Sequence, residues 1–383
     1  MTLASQPCSL QIGMTATPEH AGGVDRYYFS LVKALPAAGI DVCGLVVGDA
    51  ESITGARGPV ESFAPEGASM LRRWRGLRAT VPERVAKSDI VVSHFAPYAF
   101  PVLDSLAKRP FVNHFHGPWA LEGLADGGHP LKARVRGLVE RVVYARAARF
   151  IVLSQAFAEI LSREYGVPAK KIRIVPGGVD LDRFRALGSR AEARMRLGWP
   201  LDRPIVATVR RLRRAKGLEN LVASAEAVVR AVPDVFIAIV GTGPLAAKLQ
   251  TTIAERGLER SVHLAGHVSE ELLPSVYRAA NLFVVPTIAL EGFGLVVIES
   301  LACGTPALVT PVGGLPEVVG DLDPALVLPG SSATDLARGI THALTGKQPL
   351  PRSEQCIAYA QRYAWDRIAA RVADVYREVS VSQ

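Results

Sequence analysis

Short apolar runs alternate with longer amphipathic stretches along almost the whole chain. Leu10–Met14, Val42–Val47, Ile90–Ser93, Phe111–His114, Phe150–Leu153 and Ile172–Val175 are brief and rich in β-branched or aromatic residues, which predicts strands. Helical segments such as Ala21–Ala38 fall between most of them. The rhythm lapses over Asp180–Arg203, a charged, Ala-rich stretch containing Pro200 and followed by Pro204. A second series then begins at Ile205–Val209 and continues through Phe236–Val240, Val262–Leu264, Leu282–Val285, Ala307–Thr310 and Ala325–Leu328. This alternation predicts an α/β protein with two parallel sheets, each covered by helices on both faces. The expected domains are residues 1–180 and 181–363, joined by the Asp180–Arg203 linker. The final helical segment, Ala364–Val379 within about 364–383, is expected to cross back to the first domain. Two doubly wound domains in tandem place a ligand cleft at the carboxyl ends of their strands.

Composition narrows the class. The 383 residues suit two domains, and 49% apolar with 21% charged residues is a folded composition. Cys8, Cys43, Cys303 and Cys356 have neither metal-ligand spacing nor the density of a disulfide framework. The N-terminal residues do not read as a secretory signal, and no apolar run reaches the ~18 residues of a membrane span. A cytoplasmic protein is therefore expected.

The net charge of +8 is concentrated: Met70–Phe150 holds 14 Lys+Arg against 6 Asp+Glu. Within it, Leu71, Trp74, Leu77, Arg78 and Val81 of Met70–Lys87 recur at near-helical spacing, flanked by Arg72, Arg73 and Arg75. A basic amphipathic helix of this kind suits an anionic bilayer surface and a peripheral location at the inner face of the membrane. The competing reading is an ordinary helix whose stripe packs on its own domain; Gly76 and Pro82 weaken the helix itself.

Candidate chemistry gathers in the second half. Glu291-Gly-Phe-Gly-Leu-Val-Val-Ile-Glu299 follows a predicted strand and opens a helix near Phe293, with Glu299 about two turns in. Gly292 and Gly294 leave backbone N–H groups at that helix start, suited to sugar hydroxyls or phosphate oxygens. Arg210-Arg-Leu-Arg-Arg-Ala-Lys216-Gly217, Gly241-Thr-Gly243-Pro and Gly266-His267-Val268 each follow a strand. Arg211 and Lys216 have the charge to neutralise a departing pyrophosphate. Cys303-Gly-Thr-Pro306 and Thr310-Pro-Val-Gly-Gly-Leu-Pro-Glu317 lie downstream. In the first half, Gly22-Gly23 follows the first strand and His116-Gly117 the fourth, while His94 and His114 read as structural histidines.

Order and spacing resemble the family-4 retaining glycosyltransferases (glycosyl transferases group 1), over nearly the whole chain. The resemblance implies the GT-B fold: two facing Rossmann-like domains with an interdomain cleft. It implies transfer of a hexose-type sugar from a UDP- or GDP-linked donor to an acceptor glycan or glycolipid, such as a lipid-linked polysaccharide precursor. It assigns His116, Arg211, Lys216 and Glu291 to catalysis. Gly22, Gly23, Gly241, Gly243, His267, Val268, Phe293, Gly294, Leu295 and Glu299 are assigned to the donor, with Glu299 on the ribose and His267-Val268 at the base. No cofactor or metal is expected. Two departures stand out, Arg210 where the family often has Gly and Gly177 where it often has Asn; Arg210 is expected to add charge near the phosphates and to crowd them.

Two other readings compete. A sugar-nucleotide epimerase shares the architecture, but the acidic pair and the Gly-Gly-Leu-Pro-Glu run fit transfer better. A basic nucleic-acid-binding protein lacks support, since neither an aromatic-interleaved RNA motif nor a recognition helix is present. The lack of a complete G-x-G-x-x-G disfavours a nicotinamide enzyme. Asp180-Leu-Asp182 and Asp321-Leu-Asp323 fall at a junction and in a turn, poor settings for a metal site.

Overall fold

The computed structural model describes residues 6–16, 22–48, 60–185 and 188–381. Two α/β units divide the chain. The first takes residues 1–124, 128–178 and 365–383; the second takes 179–364 with 125–127. The first sheet contains β1 (Cys8–Ala16), β2 (Asp41–Gly48), β3 (Val60–Ala64), β4 (Ile90–Ser93), β5 (Phe111–Phe115), β6 (Arg149–Val152) and β7 (Ile172–Ile174), in the order β3-β2-β1-β4-β5-β6-β7. The second contains β8 (Ile205–Val209), β9 (Phe236–Val240), β10 (Val262–Gly266), β11 (Leu282–Val285) and β12 (Ala307–Val309), in the order β10-β9-β8-β11-β12. Every pairing is parallel.

Parallel strands are covered on both faces, so they read as unbroken apolar runs. All of Ile90–Ser93 and Leu282–Val285 is buried accordingly. In each sheet the strand order reverses once, between β1 and β4 and between β8 and β11. Loops leaving the carboxyl ends there flank the crevice where doubly wound sheets bind ligands.

β1 has two different faces. Leu10 and Ile12 enter the apolar core with Val91, Phe111 and Phe150. Ser9 and Gln11 are equally buried but alternate to the other side. There the Gln11 amide donates to Tyr376 Oη at 3.2 Å, on the helix Trp365–Val381. Glu378 of that helix accepts from Arg149 on β6 at 2.9 Å and from Arg173 on β7 at 2.5 Å. The terminal helix is thus tied to three strands of the first unit.

Several expectations are corrected. Ala325–Leu328 is no strand; Pro324–Leu326 forms a 3-10 turn and only Val327 bridges Val309, because Pro324 lacks the N–H that a ladder needs. The first helix covers Gly23–Ala34 and tightens to a 3-10 turn over Leu35–Ala38, where Pro36 interrupts the helical bonds; Ala21 lies outside the described residues. The expected linker carries regular structure: Arg190–Leu197 is a helix with a capping box at Ser189 and Glu192, and Trp199 is buried in the second unit.

The basic segment is a continuous helix, Met70–Ala86, despite Gly76 and Pro82. Gly76 is required because a Cβ there would lie 1.8 Å from the Phe63 carbonyl oxygen. Its stripe turns mostly inward, although Leu71 at its start is 67% exposed. Leu77, Val81 and Val85 are buried, and the Trp74 indole donates to the Pro97 carbonyl at 2.9 Å. Beyond Leu71, the apolar surface expected to meet a bilayer is spent inside the unit. No helix among the described residues is long and apolar enough to cross a membrane.

Tyr376→Phe should remove the acceptor for the Gln11 amide and the donor facing His114, stranding two buried polar groups. A loss of about 1–3 kcal/mol in urea unfolding is expected. Unchanged stability would show the terminal helix to be held by packing alone.

Candidate active site

In the second unit, the loops after β8 and β11 meet around one carboxylate. Arg210 directly follows β8, and its guanidinium donates to Glu291 and, at 2.6 Å, to Thr287 Oγ1. The Thr287 hydroxyl donates onward to Glu291 at 3.2 Å, and Lys216 Nζ reaches the same carboxylate oxygen at 3.1 Å. The side chains of Arg210, Lys216 and Glu291 are only 5%, 18% and 13% exposed.

Backbone contacts hold the loop in place. The Ile288 N–H donates to the Ala215 carbonyl at 3.0 Å, and the Glu291 carbonyl accepts from Gly314 at 2.9 Å. A Cβ on Gly313 would sit 2.0 Å from that same carbonyl, so Thr310-Pro-Val-Gly-Gly314 approaches Glu291 in a way only glycine allows. Leu290, just before Glu291, has φ of +50° and is the one left-handed non-glycine among the described residues. Strained backbone of this kind persists only where surrounding contacts impose it, as they do at ligand sites.

Burial alone would raise the Glu291 pKa. The opposing charges of Arg210 and Lys216 and their hydrogen bonds outweigh it and hold the carboxyl well below its ordinary range. Burial pulls Lys216 down, with Arg210 adding to the effect and Glu291 opposing it. The sequence treats Arg210 as a crowding departure; the structure makes it the main partner of Glu291. Arg211, by contrast, is exposed with no ion-pair partner among the described residues.

The remaining donor-side candidates also lie on loops at the carboxyl ends of strands. Gly241 and Gly243 follow β9, and the Gly241 N–H donates to the Gly266 carbonyl at 2.7 Å. His267 is exposed and Val268 half-buried after β10. The helix starts at Leu295, not Phe293, because Gly294 at its N-cap is left-handed with φ of 89°. Glu299 therefore lies about one turn in. It is buried and accepts from the Tyr277 hydroxyl at 2.5 Å, while Phe293 is 4% exposed.

In the first unit, Gly22 caps the helix that begins at Gly23, but its N–H is already engaged, donating to the Asp25 carboxylate at 2.8 Å. His116 lies just beyond β5, half-buried, within a polar network. One ring nitrogen from each of His94, His114 and His116 lies within 4.8 Å of the other two, and five of the six ring nitrogens have partners.

The proton positions in this network follow from one end. Ser9 Oγ donates to the Asp41 carbonyl at 3.2 Å, so it accepts from Gln11 Nε2 at 3.0 Å. The other Gln11 N–H goes to Tyr376, whose single proton then goes to His114 Nε2 at 2.9 Å. His114 Nδ1 in turn donates to Tyr27 Oη at 3.2 Å. Gln11 Oε1 is left to accept from His94 Nε2 at 2.9 Å. His94 Nδ1 must then accept from His116 Nε2 at 3.1 Å. Burial keeps all three rings neutral, lowering His116 to about 3. His116 is therefore the Nε2–H tautomer, and its Nδ1, without a partner among the described residues, offers a lone pair. His94, read from sequence as structural, orients this ring, while His114, read the same way, lies on a separate branch through Tyr376 and Tyr27. Their alternating pattern with Gln11 and Tyr376 has no local signature.

Removing Arg210 should strand a buried carboxylate. Arg210→Met is expected to lose about 3–5 kcal/mol in urea unfolding at neutral pH. The depressed Glu291 pKa contributes stability above the ordinary Glu range and loses it as pH falls. The gap between wild type and variant should therefore narrow below about pH 4; a gap that widens in acid would contradict the ion-pair account. For His116, nitrogen-15 NMR of labelled histidine should show a neutral Nε2–H ring, assigned by its loss in His116→Gln. Gln11→Leu should give a mixture of tautomers, whereas an Nδ1–H ring in the wild type would break the proton chain.

The pattern of Glycosyltransferase Family 4 matches residues 21–183, and that of Glycosyl transferases group 1 matches residues 189–363. A D-inositol 3-phosphate glycosyltransferase of Streptomyces bingchenggensis is 30% identical over 94% of this chain and 85% of its own length. Its counterpart in Streptomyces scabiei is 30% identical over 93% and 86%. Among solved structures, sucrose-phosphate synthase from Thermosynechococcus elongatus superposes with a TM-score of 0.81 at 24% identity, covering 98% of this chain and 100% of that one. HepE from Anabaena, in complex with UDP and glucose, gives 0.80 at 21% identity, covering 97% and 100%. The two matched patterns, the full-length relatives and the paired parallel sheets agree: the chain belongs to the family-4 glycosyltransferases and has the GT-B fold.

Proposed function

We propose that the chain transfers a hexose from a UDP- or GDP-linked donor to an acceptor with retention of anomeric configuration and without a divalent metal. The observation that carries this reading is the cationic loop after β8, which carries five Arg and Lys over 210–217, beside Glu291 and the Gly294–Leu295 helix start. Cations and free helix N–H groups stabilise a leaving diphosphate electrostatically, the role that a metal ion plays elsewhere. Structures of HepE with UDP and with UDP-glucose support a donor of this class.

The donor's anomeric C–O bond breaks as the acceptor oxygen bonds to the anomeric carbon on the same face. The departing diphosphate oxygen takes the acceptor's proton. Arg211 and Lys216 balance the charge that develops, Glu291 lies by the sugar, and Glu299 holds the ribose. His116 Nδ1 accepts from a sugar hydroxyl. Gly22, Gly23, Gly241, Gly243, Phe293, Gly294 and Leu295 contribute backbone at the donor, and His267-Val268 face the base. The acceptor is a lipid-borne glycan, reached from an anionic inner membrane surface by a peripheral, cytoplasmic enzyme. The names of the Streptomyces relatives favour a second reading, in which the acceptor is an inositol phosphate.

Lys216→Ala should lower kcat by about 10²–10³-fold, equivalent to about 2.7–4 kcal/mol of transition-state stabilisation, measured on protein still folded at the assay temperature, since losing one Glu291 partner also lowers the melting temperature. A near-normal rate would remove the diphosphate assignment. Proton NMR of early product should report the donor's own anomer, and a chelator should leave the rate unchanged. Inversion or chelator inhibition would overturn the mechanism. Parallel assays with glycolipid and D-inositol 3-phosphate acceptors decide between the two acceptor readings.

A further inference from the structure

The helix Pro130–Arg146 presents what the Met70–Ala86 helix does not, an apolar stripe left in solvent. Leu131, Val135, Leu138 and Val142 are 62%, 56%, 63% and 46% exposed. Their spacing of four, three and four residues aligns them along one face over about 17 Å of helix. The opposite face is anchored, with Ala133, Val143 and Tyr144 buried. Cations border the stripe on both sides. At 100° per residue, Lys132 and Arg146 flank one edge and Arg134 and Arg141 the other, and all four are exposed.

The one acid of this helix points away from the stripe. Glu140 is 0% exposed and accepts from the backbone N–H groups of Trp119 and Ala120 and the hydroxyls of Tyr144 and Tyr165. The outward face is therefore apolar along its centre, cationic along both margins and free of carboxylates. Self-association through this face would bring one row of cations against another, a repulsive arrangement. A surface with apolar depth and negative charge at its boundary matches both features: the aliphatic side chains enter the acyl region and the Lys and Arg heads meet phosphate.

We propose that Pro130–Arg146 is the face by which this enzyme lies on an anionic lipid bilayer. This inference rests on the membrane reading under Proposed function and moves its contact surface from Met70–Lys87 to a different helix.

The test is co-sedimentation of the full chain with phosphatidylcholine vesicles, with or without phosphatidylglycerol. Wild type should bind the anionic vesicles and release in high salt, with little binding to neutral ones. Leu131→Gln with Leu138→Gln should weaken binding roughly tenfold or more. Arg134→Gln with Arg141→Gln should weaken it about thirty-fold, from about 1 kcal/mol per cation. Both pairs are exposed, and although Arg141 also donates to the Glu164 carbonyl at 2.6 Å, thermal melts should stay close to the wild-type value. Arg72→Gln with Arg75→Gln, on the other basic helix, should change binding far less than the Arg134/Arg141 pair. Failure of wild type to bind anionic vesicles would overturn both this surface and the membrane reading. Binding that survives the Pro130–Arg146 substitutions, or is lost only with Arg72 and Arg75, would overturn this surface alone. A wild-type dimer that becomes a monomer in Leu131→Gln/Leu138→Gln, without vesicle binding, would assign the stripe to a second copy instead.

Discussion

Glu291 is an ionised carboxylate in a place where burial works against its charge. Its ionisation depends on two cations from a single loop, Arg210 and Lys216, and on the Thr287 hydroxyl. Much of the second unit's loop geometry serves that arrangement. Gly313 lets one loop come within reach of the Glu291 carbonyl, Leu290 takes up a left-handed backbone beside it, and Ala215 ties the β8 loop to the β11 loop. A buried ion pair of this kind contributes little net stability, yet losing one partner is costly. The same low dielectric strengthens any further electrostatic contact made there.

The first unit solves a different problem, a cluster of three neutral imidazoles beside buried tyrosines. Here the answer is direction. One hydroxyl, Ser9, donates to a backbone carbonyl, and that choice propagates through Gln11 to His94 and His116. A second branch runs through Tyr376 to His114 and Tyr27. A neutral His ring has one donor and one acceptor, so each link determines the next. The terminal helix therefore supports the first unit and orients the ring at its loop edge at the same time.

Both units place their polar residues where the strand order reverses. At such a point, adjacent loops diverge to opposite faces of the sheet and leave a crevice. In the first sheet His94 follows β4, and in the second Arg210 follows β8 and Glu291 the loop after β11. The crevice is a consequence of topology; the chemistry comes from the side chains that each loop supplies.

The α/β class and most strands were legible in sequence for a physical reason. A parallel strand buried on both faces must be a continuous apolar run, and Ile90–Ser93, Ile205–Val209, Phe236–Val240 and Leu282–Val285 lie where that pattern places them. Lys216 and Glu291 were named from local motifs, and the fold brings them to 3.1 Å. What no local pattern carries is partnership across the chain. Arg210 and Glu291 are 81 residues apart, and Gln11 and Tyr376 are 365 apart; without the sheets that juxtapose them, Arg210 reads as a surplus charge and His94 as a structural residue. Periodicity likewise shows that a helix has an apolar stripe but not what covers it. Most of the stripe of Met70–Ala86 (Leu77, Val81 and Val85) meets the core of its own unit, whereas that of Pro130–Arg146 meets solvent. That difference depends on which face each helix turns toward the sheet, and only packing in three dimensions decides it.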